Sequence, residues 1–455
     1  MKIVIIGGGK VGSTIANQLT REGHDITIIE QSSSISESLS DSLDIMSMCG
    51  NGGSLDVMRA AGVGDNELII ACTAKDELNL LCCMTAKRLG CPNAIARVRN
   101  PEYSELVYFL RDELNLSMSI NPELTAAREI FRQLEIPGVL RRESFAKGRV
   151  EIVEIVLKSG DLLDGCALAD VHKKLKRRVL VCAVQRGDEV FIPDGSFVLL
   201  AGDKIHICAP ATELVGILRS LNLSRRKAKN VIIIGASRIA KYLTSMLLKT
   251  GSRVKVVEIN PAKAEEFAEQ FPEAETICGD GSGENLLRSE NAEQMDAVIA
   301  LTNIDEQNLV LGMYMTSLGV KQVITKVDHI EFSGIFEDKG IDRVISPKKL
   351  SANEVVRYVR AMQNSEGSSV VALHHFVDGK VEALEFNVID ETRHRGEMLM
   401  NVRLRPDILI GSINRMGHII IPGGRDTLEA GDIVVVVSHS RRVILDLNDI
   451  FAEEE

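Results

Sequence analysis

The strongest constraint on how this chain folds is that it repeats itself. Gly7 is matched by Gly235 and Glu30 by Glu258, a spacing of 228 residues (235 − 7 and 258 − 30). Thr73, Asn79 and Arg97 are matched by Thr302, Asn308 and Lys326 at a spacing of 229 (302 − 73). In the same register, FIPDGSFVLLAGDKIHI at 191–207 lies over IIPGGRDTLEAGDIVVV at 420–436. Chance gives one such match, not a string of them at a spacing that shifts by a single residue, so the chain is a tandem duplication. At 455 residues it is also too long for one ordinary core.

Each half opens with apolar strands alternating with helical segments. In the first half the strands read KIVIIG, DITIIE, ELIIAC and AIARV, with helices predicted near 11–22, 34–40 and 76–89. That order predicts an α/β protein with two tandem Rossmann-type doubly wound parallel sheets. A further helix is expected to open at Asn121-Pro122 and at Ser346-Pro347, where a capping side chain precedes a proline at the first helical position. Beyond it, about 148–210 and 370–438 are rich in Val, Ile and turn glycines, which predicts a small β-rich α+β subdomain after each Rossmann part. The expected domains are 1–135, 140–222, 228–362 and 368–453, with the basic stretch NLSRRKAKN at 222–230 joining the halves.

Composition excludes several function classes. Hydrophobic content of 45% with 26% charge describes a globular chain that buries proper cores rather than a disordered one. A formal net charge of -11 offers no general attraction to nucleic acid or anionic lipid, so no nucleic-acid partner is expected. The longest apolar runs, such as IVVVV at 433–437, are strand-sized and far short of the roughly 20 residues of a membrane-spanning helix, so no transmembrane segment is expected. Met1 runs straight into an apolar strand without a positive n-region, and no signal peptide is expected. The nine cysteines form no C-x-x-C pair and several sit in apolar runs, which predicts buried reduced thiols. The nine histidines lack metal-ligand spacing; His374 and His375 are adjacent in a strand-like segment and face opposite ways, so no metal site is expected.

The chemistry sits in the first glycine-rich loop. Gly7, Gly8, Gly9, Lys10, Val11 and Gly12 satisfy G-x-G-x-x-G between a strand and a helix. There the free N–H groups and dipole of the helix favour a pyrophosphate. Gly7 permits the tight turn, Gly9 leaves room for the phosphate, and Gly12 lets helix and strand approach. Glu30 ends the second strand, where a carboxylate accepts hydrogen bonds from both ribose hydroxyls and repels a 2′-phosphate, favouring NAD over NADP. Thr73, Ala74, Arg97 and Arg99 fall at the carboxyl ends of later strands, where the ligand crevice of this fold lies.

The segments KIVIIGGGKVG, ACTAKDELNL, ARVRNPEY and LLAGDKIHI, with Glu30 and the duplication, resemble the TrkA family, the cytosolic regulatory subunits of Trk-type potassium uptake. The resemblance spans essentially the whole chain. It implies tandem RCK domains, each a Rossmann part followed by a β-rich C-terminal part, with no catalytic residues. It further implies a protein at the inner face of the cell membrane, assembled as a homo-oligomer, a tetramer, beneath a membrane potassium-conducting Trk-type subunit whose gate responds to nucleotide. By motif position the first NAD(H) site comprises Gly7 to Gly12, Glu30, Thr73, Ala74 and Arg97. The second comprises Gly235, Ser237, Arg238, Ile239 and Glu258. Two departures stand out: Gly50-Asn51 replaces the family's Gly-Asp, which the second half keeps as Gly279-Asp280, and Ser237 replaces the glycine that lets phosphate approach. Ala240, in place of the last glycine, is an accepted variant. Ser237 leaves two readings of the second loop open, ATP or ADP, or weak NAD(H). Two rival functions also remain: an NAD-dependent oxidoreductase, for which His172 and His206 lack a catalytic setting, and a nucleotide sensor for a transporter of something other than potassium.

Overall fold

The computed structural model describes residues 1–100, 103, 107, 109, 114, 116–135, 139, 141–221, 223, 228–328, 343–364, 370–377, 380–439, 444 and 446–452. Most of the expected linker at 222–230 lies outside them.

The first half begins with β1 (Lys2–Ile6), α1 (Lys10–Arg21), β2 (Asp25–Glu30), α2 (Ser33–Ser42), β3 (Met46–Cys49), α3 (Leu55–Ala60), β4 (Leu68–Ala71), α4 (Asp76–Leu89), β5 (Asn93–Arg97), β6 (Met118–Ile120) and α5 (Pro122–Glu135). The six strands are parallel in the order β3-β2-β1-β4-β5-β6. This is the doubly wound order whose direction reverses between β1 and β4. Ile3, Val4, Ile5 and Ile6 are all buried because helices cover both faces of the sheet. On α1 the buried residues Val11, Ile15, Ala16 and Leu19 form the helical stripe that packs on it. Neither the short α3 nor the edge strand β6 stood out in the sequence.

A five-stranded antiparallel subdomain follows: β7 (Arg141–Phe145), β8 (Val150–Val156), α6 (Leu168–Leu175), β9 (Leu180–Arg186), β10 (Glu189–Phe191), β11 (Lys204–Pro210) and α7 (Ala211–Ser220), in strand order β10-β9-β11-β8-β7. The second half repeats the Rossmann layout with β12 (Asn230–Ile234), α8 (Arg238–Lys249), β13 (Arg253–Glu258), α9 (Pro261–Gln270), β14 (Glu275–Cys278), α10 (Glu284–Ser289), β15 (Ala297–Ala300), α11 (Asp305–Ser317), β16 (Gln322–Lys326), β17 (Val344–Ile345) and α12 (Pro347–Asn364). Its strand order, β14-β13-β12-β15-β16-β17, matches the first. The last sheet pairs β18 (Val370–Phe376), β19 (Val381–Asn387), β20 (Ile408–Arg415), β21 (His418–Ile420) and β22 (Ile433–His439), with a short 3-10 turn at Leu399–Asn401 where the first half has α6.

The residues fall into two compact units, Met1–Phe131 with Lys229–Val356 and Arg132–Ala228 with Arg357–Glu455, so like domains associate with like. In the Rossmann unit the halves meet reciprocally. Gln18 on α1 donates to Asn353 on α12 at 3.0 Å, and Asn121 at the head of α5 donates to Tyr242 on α8 at 2.9 Å. In the β-rich unit, Phe145, Val150, Ile152 and Cys208 of the first sheet share one core with Val381, Val435 and Val437 of the second.

Turns are secured by features that the sequence only half announced. Asn121 caps α5 through Leu124 N at 3.0 Å, as expected. Ser346 does not act as its counterpart: its Oγ is buried without a hydrogen-bond partner, leaving Pro347 to start α12. The repeated Ala-Gly-Asp turns are held by arginines from the neighbouring strand. Arg186 bridges both oxygens of buried Asp203 at 2.7 and 2.8 Å, and Arg415 bridges Asp432 at 3.0 and 2.8 Å. Seven cysteines are buried free thiols, but Cys49 and Cys278, at matching ends of β3 and β14, are exposed, contrary to the expectation of burial.

The turn from β1 into α1 separates what the fold needs from what it leaves free. Gly7 has φ +99°, and a Cβ there would lie 3.0 Å from the Cys72 carbonyl. A Cβ on Gly12 would lie 2.0 Å from Gly7 O, whereas one on Gly9 meets nothing within 4 Å. We therefore expect Gly12→Ala to destabilise the chain by about 1–3 kcal/mol through overpacking against backbone. Gly9→Ser, which places a capping hydroxyl at the head of α1, should be neutral or stabilising by a few tenths of a kcal/mol. Urea unfolding of the two variants measures the difference. Arg186→Ala should cost about 1–2 kcal/mol in the same assay, since Asp203 keeps only its bond from Leu200 N.

Candidate functional site

The carboxyl ends of β1, β2, β4 and β5 converge on the first loop. Glu30, half-buried, does more than face a ribose: its Oε2 accepts from Gly8 N at 2.6 Å and its Oε1 from Ser32 N at 2.9 Å. The carboxylate thus ties the glycine loop to the head of α2, which sequence reasoning missed. Its remaining lone pairs stay open to other donors. Asn51 folds back on Gly53 N at 3.0 Å, the same turn that Asp280 makes with Ser282 N at 2.9 Å, so the Asn for Asp exchange preserves loop shape.

Thr73 is fixed by Asn79, whose Oδ1 accepts from Thr73 N at 2.8 Å and Thr73 Oγ1 at 2.7 Å, and whose Nδ2 donates to Arg97 O at 2.9 Å. Asn79 is fully buried and pins together the ends of β4 and β5. Its repetition as Asn308 was the signal for it. Ala74 is exposed and its carbonyl accepts from Arg99, which also pairs with buried Asp76. Arg99 is therefore a brace for this turn. Arg97 is different: Nη1 reaches Cys72 O at 3.4 Å, and its buried Nε has no partner. Burial and the neighbouring Arg99 push its pKa down. The Cys72 thiol, raised to about 12 by burial, is neutral and supplies no counter-charge. Lys10 is exposed, with its Nζ 3.8 Å from Asp328 Oδ2, and Val11 is buried, so only its backbone faces the loop.

The second loop has the same construction. Gly235 has φ +101°, with Leu301 O only 2.9 Å from where its Cβ would be. Glu258 accepts from Ala236 N at 2.8 Å and from Asn260 N at 2.9 Å. Asn308 bridges Thr302 N at 3.0 Å and Lys326 O at 2.9 Å. What differs is the head of α8. Ser237 is its N-cap, and its Oγ accepts from Ala240 N at 3.3 Å, so one helix-end donor is already engaged. Arg238 is exposed and forms no hydrogen bond or ion pair with a described residue, while Ile239 is buried. Lys326, 8% exposed, donates to Thr302 O at 3.1 Å and lies 3.7 Å from Asp328.

A cavity of about 1020 Å³ opens in front of this second loop, within the Rossmann unit. Gly235, Ser237, Arg238, Ile239, Glu258 and Lys326 line it, and the first half contributes Lys10, Val11 and Arg97. Arg97, expected at the first ligand, thus lines the cavity of the second loop as well. The buried, under-paired guanidinium in that wall suits an anion. Among the described residues no helix is long and apolar enough to cross a membrane.

The TrkA-N domain family model matches residues 3–114 and 231–347, and the TrkA-C domain model matches residues 152–215. The chain is 33% identical over 441 residues to the Trk system potassium uptake protein TrkA homolog of Archaeoglobus fulgidus, covering 96% of this chain and 97% of that one. It is 28% identical over 455 residues to the Trk system potassium uptake protein TrkA of Haemophilus influenzae, covering 99% and 98%. Among solved structures, the GsuK RCK domain superposes with a TM-score of 0.62 at 16% identity over 96% of this chain and 92% of that one. The GsuK channel bound to NAD gives 0.63 at 17% over 96% and 77%. At such identities the likeness is one of fold, and the fold is that of paired RCK domains. By the family models that match both halves, and by relatives aligned over nearly its full length, this chain belongs to the TrkA family of Trk-system potassium uptake proteins.

Proposed function

We propose that the chain is a non-enzymatic regulatory subunit, cytoplasmic and peripheral to the inner face of the cell membrane, that gates a Trk-type potassium-conducting membrane partner. It acts as a homotetramer of domains 1–135, 140–222, 228–362 and 368–453. The first loop takes NAD(H) through Gly7 to Gly12, Glu30, Thr73 and Ala74. The second takes ATP, ADP or weak NAD(H) through Gly235, Ser237, Arg238, Ile239 and Glu258. Arg97 serves whichever phosphate reaches the cavity it lines.

The observation that carries this reading is the first loop: Gly9 heads α1 with no protein atom within 4 Å of its Cβ position, beside a Glu30 already oriented by Gly8 N–H. The fold does not need a glycine there; an approaching phosphate does. Family membership supplies potassium uptake as the process. Nucleotide then acts by differential affinity for two states of the assembly, the only way a ligand shifts such an equilibrium.

The decisive experiment is potassium flux through the reconstituted membrane partner with this chain present, measured with and without NADH, ATP and ADP. Flux that ignores every nucleotide would overturn the gating role. In calorimetry, Glu30→Ala should weaken NADH binding by about 1.5–3 kcal/mol, the scale of hydrogen bonds to a charged group. Gly9→Val should weaken it further. Unchanged affinity in both variants would place the ligand elsewhere.

A further inference from the structure

The two loops differ at the base end as well as at the phosphate end. Ile259 follows Glu258 directly and is 65% exposed; Ile304, which heads α11 after Thr302, is 55% exposed. Both line the cavity in front of the second loop. Their counterparts in the first half, Gln31 after Glu30 and Lys75 after Thr73, are exposed polar residues. A single exposed isoleucine is ordinary. Here two stand on one cavity wall, each replacing a polar residue of the duplicate, and the wall is otherwise rich in charge. Their apolar surface is left in water unless an apolar face covers it.

Chain geometry gives that face an identity. β13 and β15 flank β12, so the loops carrying Ile259 and Ile304 stand on either side of the glycine turn at the carboxyl end of the sheet. A ligand whose ribose meets Glu258 and whose phosphates lie toward Arg238 and Lys326 sets its base beside these two side chains. Isoleucine offers no hydrogen bond, so the contact is with the face of the ring and rewards a large flat one.

We propose that Ile259 and Ile304 form an apolar clamp for a purine base, making the second site selective for a purine nucleoside polyphosphate held chiefly by its base. The first site, with its unobstructed glycine loop, is selective through the pyrophosphate. The clamp rests on the reading that the second loop binds a nucleotide, and it accounts for how that loop tolerates Ser237: affinity lost where the hydroxyl engages Ala240 N is regained at the base.

The test uses the full chain carrying Gly9→Val, which silences the first loop, titrated by calorimetry with ATP and with inorganic tripolyphosphate. ATP should bind markedly more tightly than tripolyphosphate. Adding Ile259→Gln and Ile304→Gln, both at exposed positions and without change of charge, should weaken ATP by about tenfold and leave tripolyphosphate unchanged. ATP affinity unaltered by the double substitution would overturn the clamp, as would an equal loss for ATP and tripolyphosphate, which would locate the effect at the phosphates. Failure of the Gly9→Val chain to bind ATP at all would overturn the clamp together with the nucleotide reading of the second loop, and so is distinguishable from failure of the clamp alone.

Discussion

Each Rossmann half depends on one carboxylate at the end of its second strand. Glu30 and Glu258 each accept two backbone N–H groups, one from the glycine turn and one from the start of the next helix. Charge-assisted bonds of this kind are stronger than neutral ones, and here they fix a turn whose leading glycine adopts a left-handed φ. The loop is thereby shaped before any ligand arrives. A ligand that meets a preformed loop has less ordering to offset, and its hydroxyls find the acid already oriented.

Much of this was legible in the sequence because it rests on local rules. Apolar runs alternating with helical stripes give the parallel sheets, since a strand buried on both faces has no polar face to display. Gly7 and Glu30 could be assigned from spacing because the turn and the strand end are fixed by chain geometry. The duplication carried every assignment to the second half at once. The antiparallel subdomains were legible only as composition; their shared order, with the edge hairpin at one side, comes from pairing between residues distant in sequence.

What stayed hidden were interactions whose partners lie far apart in the chain. Arg186 and Asp203, or Asn79 and the carbonyl of Arg97, meet only once strands are paired. Nothing in ARVRN says that Arg97 will line the second loop's cavity while Arg99, two residues on, turns to brace Ala74 and Asp76. Ser346 misled for a related reason: Ser before Pro has the pattern of a cap, but the pattern does not direct the hydroxyl, which points into the protein without a partner. Cys49 and Cys278 escaped burial because they end edge strands, where the sheet is covered on fewer sides.

The reciprocal contacts between the Rossmann halves have a consequence for how such a protein can change. In an assembly of identical copies, a substitution at one side of a two-fold contact appears on the other side as well. Here the two sides are separate stretches of one chain. Arg97 faces the cavity from one half and Lys326 from the other; Gly9 heads one helix and Ser237 its counterpart. Fusion has turned a symmetric interface into one whose two faces mutate independently while remaining in a fixed one-to-one ratio, so one pocket can drift in chemistry while the other holds its own.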